Sequence, residues 1–412
     1  MRELHGSVDD WLVSLAELPG EIGGLLAAPP ADQDLRGYRH TLREICQQPL
    51  TWLETASRMS ARAAVIEASL AAVDSDGALG AVVLTGSGSS LYAGECLSLA
   101  LQSALGIPVQ PVSAGMVLTH PTGCLSARLP SLMVSFARSG NSPESCGAVD
   151  AVREALPACR HLVITCSGQG RLATRYRDDP RVATVVLDDR TCDRSLVMTS
   201  SFTNMVLAGR LLALRHDVPA YRTRIATLAG LAADLLLGHA DTLARTARSG
   251  YTTAVYLGGG NRYGAAREAA LKMLEMTGGQ VKTFPETYLG LRHGPMCAID
   301  DGALVVCFLS SDPVSRAYEI DLVRELNRKK LGARKVIFGA GVPADLVCAG
   351  DVVIDPPGLA AVADEDAPVL DVLVGQLLAF FRCLSAGLRP DSPSDDGVIS
   401  RVVGDFAIHR RR

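Results

Sequence analysis

Glu268, Lys272 and Glu275 recur at steps of four and three residues, and His293 follows on the same stretch of chain. On a helix those steps place two carboxylates and an ammonium on one face. A carboxylate, a lysine and a histidine delivered by one helix–loop unit can move protons on a small substrate. The competing account is a solvated helix face with i,i+4 ion pairs, followed by an ordinary turn. Leu271, Leu274 and Met276 supply the apolar positions of the helix, and Gly278-Gly279 suits a C-terminal cap. A loop rich in Gly, Pro and Thr then leads to Arg292-His293-Gly294-Pro295.

A second group of residues suits an anion. Gly86-Ser87-Gly88-Ser89-Ser90 follows one apolar run, and the stretch from Ser139 through Ser142 to Ser145 follows another. Glycine lets backbone N–H groups approach an anion, and the hydroxyls of Ser90, Ser139, Ser142 and Ser145 can donate to phosphate oxygens. Ser142-Pro143-Glu144 is also an ordinary helix start, with serine as cap and proline at the first helical position. No lysine follows the glycine turn, so the nucleotide P-loop pattern is missing, and the dinucleotide fingerprint is incomplete. The expected ligand is a small phosphorylated molecule, with no nicotinamide or other cofactor.

Elements that could position these residues alternate along the chain. Short apolar runs at 81–85, 132–136, 161–166 and 182–187 read as strands, and 91–105 and 143–156 as helices. Such alternation implies α/β architecture with parallel sheets and right-handed crossovers. The pattern recurs. Gly86 and Gly258 open equivalent turns 172 residues apart, and Phe136–Ser139 finds a partner in Phe308–Ser311 at the same offset. The reading is therefore a duplicated α/β domain, at 56–220 and 221–390, with the helical stretch 221–248 as the join. Residues 1–55 form an N-terminal extension with a capping box at Thr41–Glu44 and with Trp52 and Leu53 to bury; 391–412 form a tail. Where the first half has Ser87, Ser89 and Ser90, the second has Gly259, Asn261 and Arg262, so only the first half looks built for an anion.

Composition narrows the classes. The 412 residues are 48% hydrophobic and 20% charged, as in a globular protein. A net charge of −4 gives no general pull towards nucleic acid, and Arg410-Arg411-Arg412 reads as a solvated tail. Eleven scattered cysteines, without a C-x-x-C pair or a cysteine–histidine cluster, read as reduced thiols and imply no metal site. Asp9 and Asp10 precede any apolar run, so no signal peptide is expected. Asp371, Gln376 and Arg382 interrupt the apolar stretch 368–384, which reads as a buried helix and not a membrane span. The expected location is the cytoplasm.

Gly86–Ser90, Ser135–Ser145 and Met198-Thr199-Ser200-Ser201-Phe202 together resemble the sugar isomerase (SIS) domain family. Glu268–Glu275, Leu289–Pro295, Pro390–Pro393 and Ser400–Val403 narrow the resemblance to its galactosamine-6-phosphate deaminase/isomerase subfamily, of AgaS type. The resemblance runs in order from about Thr41 to His409. It implies two tandem SIS domains, each a five-stranded doubly wound parallel sheet, with a hexose phosphate site begun by the first domain and completed by the second and the tail. By similarity to the isomerase half of glucosamine-6-phosphate synthase, Ser90, Ser139 and Ser142 are phosphate-binding positions, with Ser87, Ser89, Arg138, Ser145, Thr199 and Ser200 nearby. Glu275 is the carboxylate that shuttles a proton between C1 and C2. His293 is the ring-opening histidine, supplied there by a neighbouring subunit, which implies a homodimer or larger assembly. Lys272, Glu268 and Arg292 are further polar site positions.

Departures from the relatives carry information. Position 2 is Arg2 and not a glutaminase cysteine, and 55 residues are too few for a glutaminase domain, so no glutamine-derived ammonia is expected. Arg401 stands where the synthase has a Schiff-base lysine, and a guanidinium cannot form that imine. Met296 and His120 replace a lysine and an asparagine common in the subfamily. The expected activity is conversion of galactosamine 6-phosphate, or a close hexosamine 6-phosphate, to tagatose 6-phosphate and ammonia. The alternatives are an aldose–ketose isomerase on a nitrogen-free sugar phosphate, and a non-catalytic sugar-phosphate-binding regulator.

Overall fold

The computed structural model describes residues 4, 6–71, 80–394, 397–404 and 406–409. Arg2 and Arg410–Arg412 lie outside the described residues. Ten strands form two sheets, every pairing parallel. The first contains β1 (Ala81–Gly86), β2 (Val109–Ser113), β3 (Ser131–Ala137), β4 (Arg160–Thr165) and β5 (Val182–Val186), in the order β2-β1-β3-β4-β5. The second contains β6 (Thr253–Leu257), β7 (Lys282–Glu286), β8 (Leu304–Phe308), β9 (Arg334–Phe338) and β10 (Val352–Ile354), in the order β7-β6-β8-β9-β10. The two orders are the same. The duplication expected from paired sequence offsets is thus a duplication of topology.

The described residues gather into two compact units. Thr51–Asp193, Ser200–Ala226 and Gly397–Arg412 make the β1–β5 unit; Met1–Leu50, Arg194–Thr199 and Thr227–Asp396 make the β6–β10 unit. Central strands β3 and β8 are buried along their whole length, as parallel strands covered on both faces must be. Strand β2, which the hydrophobic pattern does not predict, is a half-buried edge strand carrying Pro111. An edge tolerates the missing N–H. The expected join is two helices, Val218–Gly238 and Ala240–Ala247, with His239 between them.

The capping box expected at Thr41–Glu44 does not form, because Thr41 lies inside the helix Arg39–Cys46. Thr41 instead donates its N–H and its hydroxyl to the Asp391 carboxylate, each at 2.7 Å. Glu44 accepts from the N–H groups of Arg194 and Ser195 and from the Ser195 hydroxyl. Tertiary partners have displaced the local pairing. A capping box does form at Ser7 and Asp10, opening the helix Val8–Ala16.

The helix Pro368–Ser385 is long and apolar enough to cross a membrane, but 83% of that window is buried inside the fold. It packs on the helix Arg262–Met276 with almost no clearance. A Cβ on Gly375 would fall 2.4 Å from the Cβ of Ala269 and 3.1 Å from its Cα. Both obstacles are rigid, so the helices must part to admit a methyl group. Gly375→Ala is expected to lower stability by about 1–3 kcal/mol, read from urea unfolding of the whole chain. An unchanged midpoint would contradict the close packing.

Candidate active site

The helix Arg262–Met276 turns its charged face inward. Lys272 and Glu268 are 0% exposed and Glu275 is 24% exposed, whereas Leu274, expected as an apolar anchor, is on the surface. The buried helix positions are filled by Ala265, Ala266, Ala269, Ala270, Met273 and Met276, so small side chains and methionine do the packing. The Lys272 ammonium lies 3.3 Å from Glu268 and donates to Glu275 at 2.5 Å. Burial works against its charge, but the two carboxylates outweigh burial and hold its pKa above the usual lysine range. This arrangement excludes a solvated face. Gly278 and Gly279, both at positive φ, end the helix as expected.

His293 and Arg292 follow the short helix Tyr288–Leu291 and are exposed. The Arg292 guanidinium donates to Glu325 at 2.7 Å, and Lys329 donates to the other oxygen of Glu325 at 2.7 Å. These two bonds hold the Glu325 carboxyl down at about 2. Arg292 is therefore engaged with the helix Pro313–Lys329, while the His293 ring makes no hydrogen bond among the described residues.

In the β1–β5 unit, the turn after β1 places Ser87 half-buried and Ser89 and Ser90 buried at the start of the helix Ser89–Leu105. Gly86 is needed there, since its Cβ would lie 2.5 Å from that of Ser90. After β3, Ser142 caps the helix Pro143–Ala155 in backbone conformation only; its hydroxyl lies 2.6 Å from that of Ser145. The Ser139 hydroxyl accepts from the Asn141 N–H at 3.3 Å. Arg138 donates to the backbone carbonyl of Arg401.

Arg401 in turn donates to the carbonyl of Asp193, one bond measuring 2.8 Å, so its guanidinium fastens the tail segment. Asp193 is a residue the motifs did not single out. Its buried carboxylate accepts from the N–H groups of Ser200 and Ser201, each at 3.0 Å, and starts the helix Ser200–Leu214. Ser200 and, in the β6–β10 unit, Thr199 are fully buried. Thr85 and Ser135, cross-strand neighbours, are also buried, and their hydroxyls have no hydrogen-bond partner among the described residues. An alternating polar position at a strand end was their only signal in sequence. His120 is exposed, with its ring 2.9 Å from the Thr119 hydroxyl. A groove of about 1120 Å³ in the same unit is lined by Pro143, Asp150, Arg171, Arg175, Phe406 and Ile408 among others, and by none of these serines. No set of three or more His, Cys, Asp or Glu side chains placed to hold a metal occurs among the described residues.

Relatives with this architecture can be recognised along most of the chain. A Streptomyces coelicolor protein, provisionally named D-galactosamine-6-phosphate deaminase AgaS, is 39% identical over 90% of this chain and 95% of its own length. The D-galactosamine-6-phosphate deaminase AgaS of Escherichia coli is 33% identical over 90% of this chain and 95% of its own. The chain belongs to the AgaS-type deaminase family. A Clostridium novyi crystal structure, provisionally named a tagatose-6-phosphate ketose/aldose isomerase, superposes with a TM-score of 0.86 at 29% identity, covering 92% of this chain and 97% of that one. No family model matches.

In this AgaS-type chain the second glycine turn, after β6, carries Arg262 at the repeat position of Ser90. Arg262 is buried and paired with Asp371 through bonds of 2.9 and 2.6 Å. Burial pushes the Asp371 carboxyl up to about 6 despite that pairing. Burial likewise pushes the Glu319 carboxyl up to about 7, with the Ser310 N–H acting the other way. Between about pH 4.5 and 7 the unfolded chain releases the Glu319 proton while the fold retains it, so stability falls as pH rises through that window and then levels. Glu319→Gln removes this dependence. Urea unfolding at pH 5 and pH 8 is expected to show the variant losing about 2 kcal/mol less than the parent over that interval. Equal losses would contradict the raised carboxyl.

Proposed function

We propose that the chain is an amino-sugar phosphate deaminase/isomerase acting on galactosamine 6-phosphate or a close hexosamine 6-phosphate. The observation that carries this reading is the Glu268–Lys272–Glu275 cluster, in which a buried ammonium orients a carboxylate that reaches solvent. Membership of the AgaS-type family supplies the substrate class. Ser90, Ser139 and Ser142 are the proposed phosphate ligands, with Ser87, Ser89 and Ser145 contributing hydroxyl or N–H groups. Thr199 and Ser200 are proposed as further substrate-binding residues. Glu268, Lys272 and Glu275 belong to the β6–β10 unit. The proposed domains are 56–220 for phosphate binding and 221–390 for proton transfer, with 1–55 as an extension and 391–412 as a tail.

In the proposed reaction His293 moves a proton to open the pyranose. Glu275 then takes the C2 proton and returns it to C1. As the double bond passes from C1–O1 to C2–N, the proton that the substrate's ammonium gives up goes to O1, leaving a hydroxymethyl at C1 and a protonated imine at C2. Water adds at C2 and ammonia leaves, which yields the ketose 6-phosphate. The substrate's own amine supplies the imine, so a lysine Schiff base is not required and Arg401 is free to fasten the tail. The exposed, unengaged ring of His293 fits a role in a partner's site, within a cytoplasmic homo-oligomer.

Ammonia and ketose 6-phosphate release from a panel of hexosamine 6-phosphates tests the reading. Turnover of nitrogen-free aldose phosphates, with no ammonia from any amino sugar, would make it a plain isomerase instead. Glu275→Gln is expected to reduce kcat by about 10²–10⁴-fold while sugar phosphate still binds; near-normal turnover would remove Glu275 from the proton path. Ser139→Ala is expected to raise KM by about tenfold or more, as loss of a hydrogen bond to a charged group does. An unchanged KM would count against the phosphate cradle.

A further inference from the structure

The second half of the duplication looked unsuited to an anion, yet it holds one. At the carboxyl end of β8, the Asp364 carboxylate accepts from the Ser311 N–H at 2.7 Å, from the Ser311 hydroxyl at 3.2 Å and from the Ser310 hydroxyl. The Arg262 guanidinium stands 3.5 Å from the same carboxylate. Ser311 is the repeat partner of Ser139, and Arg262 that of Ser90, both at the offset of 172 residues. The donors thus occupy the positions that form the serine cradle in the first half, and the anion they hold is part of the chain.

Neighbouring groups complete the surround. Arg262 is balanced from its other side by buried Asp371 and donates a further bond to the Leu309 carbonyl. Glu319 accepts from the Ser310 N–H at 2.6 Å, and its second oxygen, on a side chain 3% exposed, has no partner among the described residues. That oxygen lies 3.0 Å from where a Cβ on Gly259 would sit, so a side chain in the glycine turn after β6 would crowd it. Arg316 donates to the Ser310 carbonyl at 3.0 Å and fixes the loop's path.

We propose that the carboxyl end of the second sheet is a second anion site of phosphate-ester size, which the chain keeps occupied with its own Asp364. The serine hydroxyls, the loop N–H and the guanidinium match the donors a phosphate group takes, and a phosphate brings more charge to them than one carboxylate. Vacating Asp364 converts the filled nest into an open one. The proposal does not rest on the deaminase reading, since it concerns the other repeat.

Thermal unfolding of the full chain carrying Ser90→Ala and Ser139→Ala tests it, because that background weakens the first cradle. Adding Asp364→Ala is expected to lower Tm by roughly 5 °C. Inorganic phosphate at millimolar concentration is expected to restore most of that loss with saturation, while chloride at equal ionic strength does not. A phosphate response in the Asp364→Ala chain no larger than in the background would overturn the site. Asp364→Ser, which keeps a hydroxyl for the Ser311 N–H, provides a second variant with the same expected response. If neither variant folds, and phosphate in the refolding buffer recovers neither, the proposal also fails, since phosphate must be able to replace the lost carboxylate.

Discussion

A lysine ammonium removed from water keeps its charge only where carboxylates replace the lost solvation. Lys272 meets that condition through Glu268 and Glu275, one partner wholly buried and the other reaching the surface. Much of the β6–β10 unit follows from this requirement. The charged face must point inward, so the helix Arg262–Met276 packs through alanines, and Gly375 must be bare for the helix Pro368–Ser385 to close over Ala269. An alanine-lined seam brings backbones close and leaves little freedom for the helix to rotate. The position of the Glu275 carboxylate is set by that seam as much as by its ion pair.

The spacing of Glu268, Lys272 and Glu275 was legible in sequence as one helical face, but its direction was not. Apolar periodicity points Leu274 inward, and the structure puts it outside. Where a helix buries charge, the rule that apolar residues face the core fails locally, and alanine content is the remaining clue. The strands were legible wherever both faces are covered, as in β3; β2 was not, because an edge strand with Pro111 carries half the apolar signal. Ser142 was read correctly as a helix cap in conformation, although its hydroxyl is turned to Ser145. Long-range pairings left no local trace. Asp193 beneath Ser200, Arg401 on the Asp193 carbonyl, and Asp364 at Ser311 each join residues whose spacing in the chain has no periodic meaning.

The two repeats show how one topology supports divergent chemistry. Identical strand orders place a glycine turn and a serine-bearing loop at the carboxyl ends of β1 and β3, and again at those of β6 and β8. In the first, serines occupy both the turn and the loop, with Ser89 and Ser90 buried. In the second, Arg262 stands at the repeat position of Ser90, and the serine-bearing loop donates to Asp364 from farther along the chain. The folded second half thereby satisfies its loop donors internally, with a carboxylate of its own. Buried charge is costly, and Asp371 and Glu319 register that cost in their raised carboxyl values.

One small feature bears on how the chain is made. Asp391 accepts from the N–H groups of His40 and Thr41, while its own N–H donates to the Gly37 carbonyl and its carbonyl accepts from Leu196. Three segments of the β6–β10 unit, at its beginning, middle and end, are tied at this one residue. On the ribosome, the helices around Thr41 emerge long before Asp391 is translated. The ties that Asp391 makes to them can form only after that residue has been added. Closure over more than three hundred residues carries a loop entropy that only the completed packing offsets. This tie therefore belongs to the late stages of folding of the β6–β10 unit.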